Sequence, residues 1–194
     1  MTPHERADSV KDKHGVRFQR LMQSANSTNN LPRNLEYRAS RMLEITDELA
    51  AMVAPVAPCK KGCSHCCYQS VVMSDWEADR IAKFTKRKIG EFAGYVPEEN
   101  GRDKLVAKFT GVRCPFLVVE TGACSIYSVR PFACRLHFSM ADDKEPCDII
   151  KNPGATVPYF NFNDLEYLIG FLFVGDNCKY GDIREFFPME VVVD

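Results

Sequence analysis

The sequence predicts a mainly helical, irregular single domain with small β segments. Three observations predict it: apolar residues recur at helical spacing in long runs, strand-like patterns are only a few residues long, and cysteines crowd the Pro- and Gly-broken stretches between the helices. At 194 residues the chain is most simply one domain, long enough to bury a core of its own. The boundaries read as a polar amino-terminal arm over 1–31 and a single domain over 32–194.

Residues 1–31 carry many charges and the low-hydrophobicity stretch SANSTNN, which predicts a loosely packed arm. After Pro32, Leu35, Ala39, Met42, Leu43, Leu49, Met52 and Val53 fall near helical spacing, and APVAPC then breaks the pattern with two prolines. VVM, at 71–73, reads as a short extended piece. Ser74 stands three residues before Glu77, the spacing at which each side chain satisfies the other's free backbone donor, so a second helix is expected from there to about Phe92. The KRK run at 86–88 then lies near a helix end, where cations face the negative end of the helix dipole and are usually just solvated. Residues 94–113 are punctuated by glycine and fit no single element. PFLVVE, the turn TG and ACSIY predict a small hairpin, SVRPFACRL a tight turn entering a short helix, and Asn163 with Glu166 the cap of an apolar helix.

Between those elements, CKKGCSHCC at 59–67 places four cysteines in nine residues. The amino terminus lacks the apolar stretch of a secretory signal, which predicts a cytoplasmic protein. Thiols there are kept reduced, so the nine cysteines read as ligands rather than disulfides. A bond within Cys66-Cys67 would also close a strained ring. The spacing C-x3-C-x2-C-C lets a tight turn aim two sulfurs at one metal, with Gly62 supplying the freedom such a turn needs and Lys60 and Lys61 offsetting thiolate charge. Neighbouring cysteines point in different directions unless the backbone is sharply kinked, which fits two ions or a multinuclear cluster. With Cys114, Cys124, Cys134 and Cys147, the cysteines between 59 and 147 number eight, enough for two four-sulfur sites.

The combination of CKKGCSHCC, a following helix with Glu77 and Ala78, then CPFL, GACSIYSVRP and CR, resembles the zinc- or iron-chelating cysteine-cluster family, called YkgJ-like or CxxCxxCC proteins, over about 59–136. The resemblance implies metal or iron-sulfur binding through Cys59, Cys63, Cys66, Cys67, Cys114, Cys124 and Cys134. Cys147 joins them as a further family cysteine, whereas Cys178 matches nothing in the pattern and reads as a buried small hydrophobe. Arg130 and Arg135, which flank Cys134, are implied to support the ligands, and Tyr127 lies beside them in sequence. A relative with a similar cluster, the flagellin lysine methylase, implies an alternative: an iron-sulfur or metal-dependent enzyme that modifies proteins. Zinc and iron-sulfur both accept four thiolates; the cysteine density and that relative tip the expectation toward iron-sulfur.

Other chemistries fit less well. Cys59, Cys63 and Cys66 have the C-x3-C-x2-C spacing of radical SAM enzymes, but His65 stands where those carry an aromatic residue, and neither a GGE-like run nor chain enough for a large barrel follows. A thiol oxidoreductase needs only two of the cysteines. His65 could ligate through its imidazole, although the thiolates already suffice, and His137 is a lesser candidate still. A formal net charge of -1 gives no footprint for nucleic acid or an anionic membrane, and no segment is long and apolar enough to span a bilayer. The protein partner or substrate is not encoded in any motif.

Overall fold

The computed structural model describes residues 1–91 and 101–189. In chain order these form α1 (Pro3–Asn29), α2 (Leu35–Val53), β1 (Val72–Ser74), α3 (Asp75–Thr85), α4 (Gly101–Phe109), β2 (Leu117–Val118), β3 (Ala123–Cys124), α5 (Phe132–Arg135), α6 (Asn163–Gly175), β4 (Tyr180–Asp182) and α7 (Ile183–Phe186). Tight 3-10 turns occupy His65–Tyr68, Tyr127–Val129 and Glu145–Cys147. The protein is mainly α with small β segments, as the periodicities predict. Among the described residues, no helix is long and apolar enough to cross a membrane.

The chain divides into two compact units, each assembled from separate stretches of sequence. The first takes Met1–Lys60, Arg135–Cys147 and Ala155–Asn177, and its frame is α1, α2 and α6 packed on one another. The expected loose arm is instead α1. Thr2 accepts the Glu5 N–H at 3.2 Å, the Glu5 carboxylate accepts the Thr2 N–H at 2.8 Å, and Pro3 starts the helix. Its polar composition hides a sparse apolar face of Val10, Leu21 and Ala25, all buried. The Arg6 guanidinium further pins the helix start to the Met140 and Ala141 carbonyls and to Asp142. In α2, Asn34 caps the Tyr37 N–H at 3.0 Å, and Met42, Ile45, Leu49 and Val53 are fully shielded or nearly so. Each such side chain contributes about 1.5–3 kcal/mol. The cap expected at Asn163 is a correction: Asn163 is already the first helical residue of α6, and it is the Asn161 side chain that accepts its N–H, at 2.9 Å.

The second unit takes Lys61–Cys134, Asp148–Gly154 and Cys178–Asp194. β1 pairs antiparallel with β4, Val72 opposite Asp182 and Ser74 opposite Tyr180, which ties the chain's last described elements to the segment just after the cysteine run. The Ser74–Glu77 box caps α3 as its spacing predicts. However, α3 ends at Thr85, with Lys86 in the left-handed region at φ 62°, well short of Phe92, which lies outside the described residues. The KRK run therefore follows the helix rather than closing it, and Arg87 is more than solvated: its guanidinium lies 5.2 Å and 5.8 Å from the rings of Phe116 and Phe187. The predicted hairpin is β2–β3, Leu117 opposite Cys124. Met73, Ile81, Phe116, Ile126, Phe186 and Phe187 form the core of this unit, with Cys114 inside it and Cys67, Cys124 and Cys134 packed against it.

Candidate metal centre

The second unit brings five of the predicted ligands into mutual electrostatic reach. Cys66 and Cys67 lie on one 3-10 turn, held by the Cys67 N–H on the Ser64 carbonyl at 2.9 Å and the Gln69 N–H on the Cys66 carbonyl at 3.1 Å. That turn supplies the sharp kink that lets adjacent thiols face each other. Cys67 donates its S–H to Cys66, so the Cys66 thiol is held below its usual range while Cys67 is pushed far up. The Cys114 N–H donates to the Cys67 carbonyl at 2.7 Å, which docks the Cys114 loop on the turn. Cys67 lies within the field of Cys66, Cys114 and Cys134, and Cys134 within that of Cys66, Cys114 and Cys124.

Burial dominates the acidity of the other three. It pushes Cys114 up to about 11, against the Phe116 N–H that donates to its sulfur. It likewise raises Cys124, whose sulfur accepts the Ile126 N–H, and it raises Cys134 well above the usual thiol range. The same i to i+2 amide-to-sulfur bond at Cys114 and Cys124 is the kind of support that orients a thiolate toward a metal. Arg130 supplies the cation: its charge favours the ionised forms of Cys66, Cys124 and Cys134, and its guanidinium sits 4.3 Å from the exposed Tyr127 ring. Arg135 belongs to the first unit, where it is buried against Asp47.

Gly62 and Gly122 bring the loop of Cys63 onto the hairpin. Both take positive φ, 87° and 65°, and a Cβ on Gly122 would lie 2.5 Å from the Gly62 carbonyl oxygen. Cys63 itself is half-buried at the far side of Gly62. Cys59 and Cys147 lie in stretches assigned to the first unit, the former half-buried and the latter buried. Cys178, expected as a buried small side chain, is only half-buried. Among the described residues, no three His, Cys, Asp or Glu side chains form a group that could hold a metal ion as they stand.

His65 pairs with a carboxylate: its Nδ1 lies 3.6 Å from Asp148. Asp148 accepts the Lys151 N–H at 3.1 Å and the Ile150 N–H at 3.2 Å, and these bonds, the Lys151 one foremost, with His65 beside it, hold its carboxyl below the usual range. His137 belongs to the first unit, where its Nε2 is shielded and without a hydrogen bond, its ring is 4.4 Å from that of Tyr159, and burial lowers it to about 4. Sequence reasoning missed Asp148 and the Asp182–Arg184 pair. The latter had a signal, since Asp182 stands three residues before Glu185 and the two make a capping box for α7.

The donor set suits a soft or borderline metal: all five coupled groups are thiols, with amides on two sulfurs and a cation beside three. The family profile described as "CxxCxxCC: Putative zinc- or iron-chelating domain" matches residues 58–153. No solved structure matches the chain. The match covers the 3-10 turn, the Cys114 loop, the hairpin and α5 in their order along the chain, and on that ground residues 58–153 are a domain of the CxxCxxCC zinc- or iron-chelating type.

Proposed function

We propose that the protein holds zinc or an iron-sulfur cluster through clustered cysteine thiolates, in a structural, metal-handling or electron-transfer role. The observation that carries this reading is that Cys66, Cys67, Cys114, Cys124 and Cys134 gather in one unit: Cys66 and Cys67 share a turn, Cys114 docks on it through the Cys67 carbonyl, and Cys124 and Cys134 pack against the same core. Thiols so placed oppose one another's ionisation, and a bound cation reverses the sign of that interaction. When bound, such a metal would deprotonate the thiols that take it up. Cys63 belongs to the proposed ligand set through its loop's seat on the hairpin, and Cys59 and Cys147 through the family pattern alone. Five gathered thiols exceed the four donors of one closed zinc site, which supports more than one metal ion or a multinuclear cluster. A reducing compartment such as the cytoplasm suits this chemistry.

The test is anaerobic purification, with the visible spectrum and the elemental content taken on one sample. A brown protein with iron and acid-labile sulfide identifies a cluster, and a colourless one with stoichiometric zinc identifies a zinc site. Cys66→Ser and Cys134→Ser should each lose most of the metal, whereas Cys178→Ser should keep it. Wild-type metal content in the first two variants would sink the ligand assignment.

A further inference from the structure

The structure assigns to the buried pair Asp182–Arg184 the task of positioning the Cys67 and Cys114 ligand loops, a role resting on the metal-binding reading above. Both residues lie beyond the stretch matched by the family profile. Their side chains are 0% and 3% exposed. Arg184 Nη1 donates to the Asp182 carboxylate oxygens at 2.9 Å and 3.2 Å. The rest of the guanidinium is spent on backbone carbonyls: Nη2 donates to Cys67 at 3.1 Å and Gln69 at 3.0 Å, and Nε donates to Val112 at 2.9 Å. Asp182 in turn accepts the Val71 N–H at 2.7 Å and the Ser70 hydroxyl at 2.8 Å.

One ion pair thereby fastens the exit of the Cys66-Cys67 turn and the approach to Cys114. The two loops also meet directly, since the Cys67 carbonyl that accepts from Arg184 accepts from the Cys114 N–H as well. The charges of Arg184 and Asp182 act on the Cys114 thiol with opposite signs, while the hydrogen bonds of the pair fix where the two loops sit. A planar fork that reaches five partners, the carbonyls of Cys67, Gln69, Val112 and Arg113 and the Asp182 carboxylate, has no equivalent in lysine. Arg184→Lys keeps the charge and loses the fork.

Two measurements test the role. In the first, Co(II) is titrated into reduced protein against a chromophoric chelator, following the thiolate-to-cobalt absorption. Arg184→Lys and Arg184→Gln should bind about 10–100-fold more weakly with an altered spectrum, while Arg38→Gln, which breaks the Arg38–Asp176 ion pair of the first unit, should match wild type. Wild-type affinity and spectrum in a folded Arg184→Gln protein would overturn the proposal. The second measurement needs no variant. Amide hydrogen exchange on the metal-free native protein should find the Cys114 and Val71 N–H groups protected before any metal is added. Exchange there as fast as at the exposed Lys61 loop would overturn preorganisation by this pair. Failure of the wild-type protein to take up either Co(II) or iron with sulfide would instead sink the metal reading itself, and the two failures are distinct.

Discussion

Glu77 shows how one side chain can serve two structures at once. Its Oε2 accepts the Ser74 N–H at 2.8 Å and the Ser74 hydroxyl at 2.9 Å, while its Oε1 accepts the Phe132 N–H at 2.8 Å. The helix cap is thereby joined to the start of α5, which carries Cys134. The first half of that role is written locally, as Ser-x-x-Glu; the second joins residues 55 apart in sequence, which no local pattern specifies. Burial outweighs the three donors and raises the Glu77 carboxyl above its ordinary 4.5. The folded protein therefore binds more protons than the unfolded one from pH 4.5 up to the raised value, and Glu77 withdraws stability as pH rises through that window. His137 has the opposite sign. Lowered from 6.5 to about 4, it leaves the unfolded chain holding more protons between those values, so stability falls as pH drops through the same range. The loss is on the order of 3 kcal/mol by pH 4. His137→Phe should flatten this acid limb in urea titrations run from pH 4 to 7, and a limb of unchanged depth would remove His137 as its source. Glu77→Gln should lose one of its acceptor contacts, costing about 1–3 kcal/mol at pH 7, and should weaken the pH dependence above 4.5.

At the scale of elements, the contrast is between what a short window encodes and what only a partner supplies. α2, the α3 cap and the β2–β3 hairpin were legible because apolar spacing, a capping box and a Gly-containing turn between two apolar runs are local signals, although the connection is four residues long, 119–122, rather than the Thr-Gly pair alone. β4 was not, since Tyr180–Asp182 is three residues long and is a strand by virtue of pairing with Val72–Ser74. The early end of α3 at a left-handed Lys86 was likewise invisible, because lysine carries no preference for that conformation. The cysteine loops fall between these cases: their spacing marked the thiols as candidate ligands, and the glycines that set their approach gain meaning only in pairs. Gly122→Ala should cost upward of about 1 kcal/mol from positive φ alone. It should cost more from the 2.5 Å approach to the Gly62 carbonyl, and should lower metal uptake per chain. Gly15→Ala is the control. It sits within α1 with nothing within 4 Å of an added Cβ, so it should stabilise by about 0.5–1 kcal/mol. Denaturation midpoints with metal content read on the same samples test both, and normal uptake by Gly122→Ala would detach the Gly62–Gly122 contact from metal binding.

Across the whole molecule, the two units rest on different kinds of cohesion. The first has long helices, α1, α2 and α6, packed on one another around apolar side chains. The second gathers two-residue and three-residue strands, short helices and tight turns around a core that contains or touches four of the cysteines. On the proposed reading the sulfurs are packing atoms that also become ligands, and coordination energy becomes folding energy. A metal that binds only the folded form stabilises it by about 2.7 kcal/mol at a free concentration one hundred times its Kd. Metal-loaded protein should therefore melt higher than the same sample after chelation under reducing conditions, and reloading should restore the difference. Amides near the ligands, at Cys67, Cys114, Phe116 and Ile126, should gain the most protection from exchange on loading. Thiol chemistry sharpens the outcome: all nine cysteines should react with a thiol reagent in the unfolded, metal-free chain, while the loaded native protein should shield the ligand thiols and leave Cys178 among the reactive ones. A melting temperature and a thiol count indifferent to metal would separate the cysteine cluster from the stability of the fold, because sulfurs that coordinate cannot both leave the reactive pool unchanged and add nothing to the folded state.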